Sequence, residues 1–198
     1  MQGTVAIGVL PVGGSRTEHR SGLGAVADEA LMLRYGGGDN DAFEILYRRH
    51  RAGLHRFVRR LVGASADEVF QEVWLAVIKA RKRYRPDARF VTWLYTIAHH
   101  RAVDRLRRNG QWPDEALDDE ADEAPGPFEA AFGGELADAL QAAVQALPAP
   151  QREAFLLQAE AGLSLEEIAA ASAVSRETVK SRLRYATKRL RAALESYR

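Results

Sequence analysis

Apolar residues recur at intervals of three and four from Asp28 to Asn109, and again from Leu136 to the C-terminus. That is the period of helices that bury one stripe. No segment alternates apolar and polar residues with a period of two, so no sheet is predicted. The period is lost between 111 and 135, where Pro113, Pro125, Gly126 and Pro127 interrupt any regular element. Residues 1–25 mix glycine, proline and small polar residues without a period. The predicted class is all-α. A mobile extension over 1–25 precedes a helical domain over 26–110, an extended linker over 111–135 and a second helical domain over 136–198.

The C-terminal pattern is the more specific. Ser164 can cap a helix whose third residue, Glu167, completes a capping box, with Leu165, Ile168 and Ala169 as its buried stripe. The chain turns near Ser172-Ala173-Val174, and Ser175 stands where a second cap belongs. The next helix carries Val179, Leu183, Ala186, Leu190 and Leu194 on one face. A short capped helix, a tight turn and a long basic helix make a helix-turn-helix, whose second helix enters the major groove. At about 100° per residue, the face opposite the apolar stripe holds Glu177, Ser181, Arg184, Tyr185 and Lys188, with Lys180 and Arg182 on its flanks. Glu177, Ser181, Arg184 and Tyr185 are candidate readers of base edges. Arg176, Lys180, Arg182 and Lys188 are placed for phosphates. The competing reading is an ordinary surface helix of a bundle.

In the N-terminal unit, Phe90 opens a helix predicted to continue to about Arg108. Val91, Leu94, Tyr95, Ala98, Ala102 and Leu106 form its broad apolar face, while Trp93, Thr96, His100 and Arg107 lie opposite, with Asp104 at the edge. Aromatics beside cations suit single-stranded nucleic acid, where each base offers a face to stack and a phosphate to neutralise. The preceding loop, Arg85 to Arg89, is placed to wall a pocket for an extruded base. The alternative is that Trp93 packs on another helix of the same domain. His99 and His100 point about 100° apart, which does not make a shared metal site. Farther upstream, Val69, Phe70, Val73 and Val77 supply core, and Asp67, Gln71 and Trp74 follow one another on a second face, a candidate docking stripe for a partner helix.

Charge sharpens the picture. The 28 Lys and Arg nearly cancel the 27 Asp and Glu, leaving +1. The cancellation is between segments. Residues 79–110 are rich in Lys and Arg and hold only Asp87 and Asp104 as acids; residues 175–198 are similar, with Glu177 and Glu195. The linker carries Asp114, Glu115, Asp118, Asp119, Glu120, Asp122, Glu123, Glu129 and Glu135 with no Lys or Arg. Two basic helical blocks around an acidic strap point to a polyanion partner. There is no cysteine and no apolar run near the roughly 20 residues that cross a bilayer, and the N-terminus lacks a basic n-region, so a cytoplasmic location is expected.

These motifs together resemble the extracytoplasmic-function sigma factors, the compact branch of the sigma-70 family. Asp41-Ala42-Phe43 through Arg49-His50 resembles the opening helix of that family's second conserved region, and Glu68 through Trp74 its polymerase-docking segment. Phe90-x-Thr92-Trp93-Leu94-Tyr95-x-Ile97-Ala98 with Asp104 through Arg108 resembles its promoter-melting helix. Leu147-Pro148 to Arg152-Glu153 and Thr178 through Leu183 resemble its fourth region. The resemblance implies docking on core RNA polymerase (clamp helices and flap) through Asp67, Glu68, Gln71, Glu72 and Trp74. It implies capture of the melted minus-ten strand by Arg89, Phe90, Thr92, Trp93, Thr96, His100, Arg101, Arg105, Arg107 and Arg108. It places Thr178 with the candidate residues of the basic helix, Arg176 to Lys188, on the duplex minus-thirty-five element. The acidic linker would thread toward the polymerase cleft. Promoter DNA and an anti-sigma factor are the implied further partners; no catalytic residue, metal or cofactor is implied.

Three positions depart from the family's pattern. Glu68 stands where many members have Asp, and His100 where many have Asn, beside the pocket for an extruded base. At the helix-turn-helix corner, Ser172 replaces a larger apolar residue and Ala173 a glycine. Two rival functions compete with this reading. A helix-turn-helix regulator acting alone on duplex DNA would leave Trp93 and the docking stripe without a purpose. A nuclease using the linker acids for metal would need ligands held rigidly, which a proline-interrupted strap does not provide.

Overall fold

The computed structural model describes residues 24–113 and 136–195, and every regular element among them is helical. The N-terminal unit comprises α1 (Asp28–Gly36), α2 (Asn40–Val62), a 3-10 turn (Gly63–Ser65), α3 (Ala66–Ala80) and α4 (Phe90–Arg108). The C-terminal unit comprises α5 (Leu136–Gln145), α6 (Ala149–Ala161), α7 (Leu165–Ser172) and α8 (Arg176–Ala193). Most of the expected N-terminal extension and acidic linker lies outside the described residues. The linker's first residues are described, and Trp112 packs against the core.

Local chemistry explains where these helices begin. Asp39 caps α2 by accepting from the backbone N–H of Asp41 at 3.1 Å and of Ala42 at 3.3 Å. The N-terminus of α4 has no side-chain cap of its own; instead Glu29 on α1 accepts from the Phe90 N–H at 2.6 Å. Asp28 is partly buried, which opposes its ionisation. Hydrogen bonds from His50 (2.6 Å) and Arg49 outweigh this and hold its carboxyl below the usual range. Gly36 is required where α1 meets the end of α3, since a Cβ there would lie 2.7 Å from the Arg81 carbonyl oxygen.

The core of this unit is built on Leu46, Leu54, Phe57, Leu61, Phe90 and Leu94, all fully buried. Tyr95 meets Phe57 edge-on at 5.2 Å, and burial pushes its hydroxyl up to about 12. Predicted stripe residues Leu94, Tyr95, Ala98, Ala102 and Leu106 are all buried.

In the C-terminal unit the expected capping box is present. The Glu167 N–H donates to Ser164 Oγ at 3.2 Å and the Ser164 N–H to Glu167 Oε2 at 2.8 Å. Ser175 caps α8 by accepting from the Thr178 N–H at 3.0 Å. Between them Ala173 takes a left-handed conformation (φ 54°), the one non-glycine residue with positive φ among those described. Glycine adopts that conformation without a Cβ penalty, so the departure at 173 carries strain. Ala173→Gly is expected to raise the unfolding free energy by about 0.5–1 kcal/mol, relief of strain exceeding the added entropy of the unfolded chain. Urea unfolding of both proteins checks the sign.

The two units are in contact, which the periodicity did not reveal. α6 lies along α2 and also meets α4, and α7 packs on α4. Polar bonds line the seam. Gln145 Nε2 donates to the Arg60 carbonyl at 2.8 Å, and Arg152 Nη2 to the Leu61 carbonyl at 3.2 Å. Glu160 pairs with Arg60, and with Arg56 at 3.2 Å. A stripe on a helical wheel shows that a face is buried, not which helix buries it.

Candidate nucleic-acid interface

α8 presents the surface its spacing predicts. Val179, Leu183, Ala186 and Leu190 are buried, while Glu177, Lys180, Arg184 and Lys188 are exposed and Ser181 and Tyr185 half-buried. The Arg184 guanidinium sits 4.9 Å from the Tyr185 ring centroid, a cation–π contact on that face. Arg176 is exposed and pairs with Glu166 at 2.6 Å, and Lys180 lies 3.7 Å from Glu177. Thr178 is half-buried, its hydroxyl 2.8 Å from the Ser175 Oγ at the cap.

Arg182 is a correction. Expected on the flank for phosphates, it is 6% exposed and its Nη1 lies 3.8 Å from Oε2 of the fully buried Glu153. The same carboxylate accepts from Ser172 Oγ at 2.5 Å and faces His99 Nδ1 at 3.0 Å. One acid on α6 thus gathers groups from α4, α7 and α8. The signal was in the spacing: Arg182 is three residues after Val179 and four before Ala186, on the buried stripe itself, and His99 stands likewise between Tyr95 and Ala102. The serine at 172, unexpected beside the family's apolar residue, supplies a donor to this acid.

On α4 the outward face is only partly outward. Trp93 is half-buried, meeting Tyr84 at 5.0 Å and Phe90 at 5.8 Å between ring centroids. This is largely packing within its own domain, although the residue stays partly exposed. Phe90 is fully buried and therefore braces Trp93, contrary to its place among contact residues. Thr92 is also buried, because it lies three residues before Tyr95 on the inner stripe, and it donates from Oγ1 to Glu167 Oε1 at 2.6 Å. Thr96 is half-buried and bonds its own helix through the Thr92 carbonyl at 2.8 Å. Arg89 is exposed but engaged, donating to Glu167 Oε2 at 2.8 Å.

His100, Arg101, Arg107 and Arg108 are exposed. Partial burial and the neighbouring His99 hold the His100 pKa below its usual value, against an opposing pull from Asp104. Arg101, Arg107 and Arg108, with Lys79, edge a cleft of about 630 Å³ between α3 and α4 that also contains Glu72, Asp104 and the exposed Leu75. Arg105, expected on the melted strand, is held elsewhere. It is tied to Glu68 and, at 3.4 Å, to Glu72, so it joins the docking stripe rather than the free cations. Its guanidinium hydrogen-bonds Glu68 and lowers that carboxyl's pKa.

On α3, Asp67 is 87% exposed at its side chain and 3.0 Å from His55, and Gln71 is exposed. Trp74, expected at the end of the docking stripe, is not on the surface. It is 5% exposed, enclosed by Tyr47 at 4.9 Å and Phe43 at 5.8 Å, because α2 rises over that edge of the stripe.

Residues 46–111 match Sigma-70 region 2, and residues 137–190 match Sigma-70, region 4. RNA polymerase sigma factor CarQ of Myxococcus xanthus is 36% identical over 169 residues, covering 82% of this chain and 95% of its own. ECF RNA polymerase sigma factor SigD of Mycobacterium tuberculosis is 35% identical over 179 residues, covering 85% of this chain and 82% of its own. The chain belongs to the extracytoplasmic-function sigma factors.

This sigma factor is therefore a promoter-recognition subunit that acts with core RNA polymerase in transcription initiation. Its fold agrees with two solved relatives. CnrH, in complex with the cytosolic domain of CnrY, superposes with a TM-score of 0.60 at 26% identity, covering 86% of this chain and 99% of that one. RpoE of Bartonella quintana, in complex with the anti-sigma factor NepR, gives 0.61 at 24% identity, covering 79% and 98%. In this sigma factor α2 to α4 fall largely in the region 2 match and α5 to α8 in the region 4 match. No helix among the described residues is long and apolar enough to cross a membrane.

Proposed function

We propose that this sigma factor reads the minus-thirty-five element through Glu177, Ser181, Arg184 and Tyr185 of α8, with Arg176, Lys180 and Lys188 on phosphates. The observation that carries this assignment is the exposed Arg184–Tyr185 face, set opposite a buried stripe on a helix capped at Ser175. Phosphate contacts supply much of the salt-dependent affinity and base contacts the specificity. The melted minus-ten strand is captured on α4 by the exposed part of Trp93 together with His100, Arg101, Arg107 and Arg108. Capture of unstacked bases offsets an unstacking cost of roughly a few kcal/mol each and shifts the promoter toward the open state. Asp67, Glu68, Gln71 and Glu72 form the docking face for the core enzyme, braced by Arg105. The core enzyme performs all covalent chemistry, and the sigma factor acts in the cytoplasm without an active site of its own. An anti-sigma factor is proposed as its inhibitor, supported by the inhibitor-bound state of the RpoE relative.

Transcription in vitro with core polymerase on a randomised promoter library tests this reading. Arg184→Ala and Ser181→Ala are each expected to relax upstream base preference by about 1–3 kcal/mol of discrimination at one or two positions. An unchanged preference profile in both variants sinks the reader assignment. Tight operator binding without the core enzyme, and no co-purification with it, would favour a stand-alone regulator.

A further inference from the structure

We infer that α1 is a splint for the loop between α3 and α4, and that its Glu29 is a positioning residue for the base that Trp93 captures. The inference rests on the proposed strand-capture role of α4 and names what holds the capturing surface in place.

The loop spans 81–89, contains no helix or strand, and is exposed except at Arg81 and Tyr84. The shape of such a segment depends on how its ends are held. Both ends are held by α1. At the start, Gly36 approaches so closely that a Cβ would lie 2.7 Å from the Arg81 carbonyl oxygen. The Arg81 guanidinium also lies 5.7 Å from the Tyr35 ring centroid. At the end, Glu29 Oε1 accepts from the Phe90 N–H at 2.6 Å. Glu29 and Gly36 stand two turns apart, about 10 Å along one helix, so the loop's ends keep a fixed separation. Glu167 also holds Arg89, but from the other unit; α1 holds the loop from within its own. The splint is itself anchored on α2. Arg49 donates to Asp28 and, at 2.8 Å each, to the Val26 and Gly24 carbonyls, and His50 meets Asp28 at 2.6 Å.

The residues held this way are the ones that support Trp93. Tyr84, in the loop, meets the Trp93 ring at 5.0 Å between centroids. Phe90, whose N–H Glu29 binds, meets Trp93 at 5.8 Å and Tyr84 at 6.3 Å, and the His50 ring lies 5.3 Å behind it. Burial, with the Glu29, Asp28 and Asp87 carboxylates nearby, pushes the Tyr84 hydroxyl up to about 12, so α1 faces this ring as well. A base stacked on Trp93 meets a ring whose tilt Tyr84 and Phe90 set. Displacement of that support by a fraction of an ångström alters which base fits. α1 precedes residues 46–111, the stretch matched to Sigma-70 region 2, so the support comes from outside that stretch. An ordinary cap would stabilise α4 without touching base choice, and that difference can be measured.

The full chain with core polymerase is tested on duplex promoters randomised around the minus-ten element. The chain has no cysteine, so Ala88→Cys gives a single site for a nitroxide on the exposed loop. Glu29→Ala should sharpen the nitroxide spectrum and flatten the preference at one base position. It should also lower duplex opening by about three- to tenfold, within the range that a lost helix cap gives. Glu29→Gln keeps an oxygen for the Phe90 N–H and should restore the parental preference. Gly36→Ala forces α1 and the Arg81 carbonyl apart at the other end, and should move the spectrum and the preference in the same direction. Val58→Ala, a fully buried position about 12 Å along α2 from His50, should lower stability to urea and leave both readings at parental values. A spectrum unchanged in both Glu29→Ala and Gly36→Ala overturns the splint. A sharper spectrum with parental base preference overturns the positioning role, as does a preference that Val58→Ala shifts equally. If Trp93→Ala leaves opening and preference at parental values, the capture reading fails, while the nitroxide spectrum still decides the splint.

Discussion

Glu153→Ala is expected to cost about 3–5 kcal/mol of stability, the loss that follows when one partner of a buried ionic cluster is removed. The carboxylate is fully buried, and removing it leaves Arg182, 6% exposed, with a charge that has neither water nor a counter-ion. Ser172 loses its acceptor at the same time. Against a total of about 5–15 kcal/mol for an ordinary domain, this is enough to unfold the C-terminal unit in a large share of molecules. Urea unfolding followed by circular dichroism reads the change directly. The paired substitution Glu153→Met with Arg182→Met should recover most of the loss, because the penalty arises from a stranded charge rather than from missing attraction. A single variant that loses less than about 1 kcal/mol would mean that water reaches the cluster and replaces the acid.

Trp93→Ala is expected to reduce open-complex formation on duplex promoters by about 5- to 150-fold, the equivalent of about 1–3 kcal/mol of stacking on one base. Binding to core polymerase should be unaffected, since the docking face lies on α3. A promoter with a pre-melted bubble should recover part of the activity, because unstacking is then already done. Permanganate reactivity of unpaired thymines measures the opening. The ring also packs on Tyr84 and Phe90, so Trp93→Phe serves as the control that keeps an aromatic surface there. If the alanine variant opens duplex as readily as the parent, stacking at this position contributes nothing.

What could be read from the residues alone follows the physics of each feature. Caps are local: Ser164, Glu167 and Ser175 are specified by neighbours within three residues, and all three perform as expected. The reading face of α8 is equally local, since it is the complement of a stripe on a single helix. Trp74 ends a stripe that spacing turns outward, and the family resemblance offers Phe90 and Thr92 as contact residues, yet all three are buried. Arg182 lies on a buried stripe by simple counting, and only its charge argues for the surface; His99 lies on the corresponding stripe of α4. The contact between the units depends on pairs such as Glu167 with Arg89, 78 residues apart, and Glu160 with Arg60, 100 residues apart, and no periodicity encodes such a pairing. The acidic linker is plain in composition, but all of its acids lie outside the described residues.

The placement of Arg182 bears on any attempt to retarget this protein to new genes. A designer who transplants the whole 176–188 stretch from an unrelated helix-turn-helix protein would exchange the letters that select DNA and, with them, the internal anchor that orients the helix. Swapping positions 177, 181, 184 and 185 while leaving 182 with its acid on α6 should change the address and keep the hand that reads it steady.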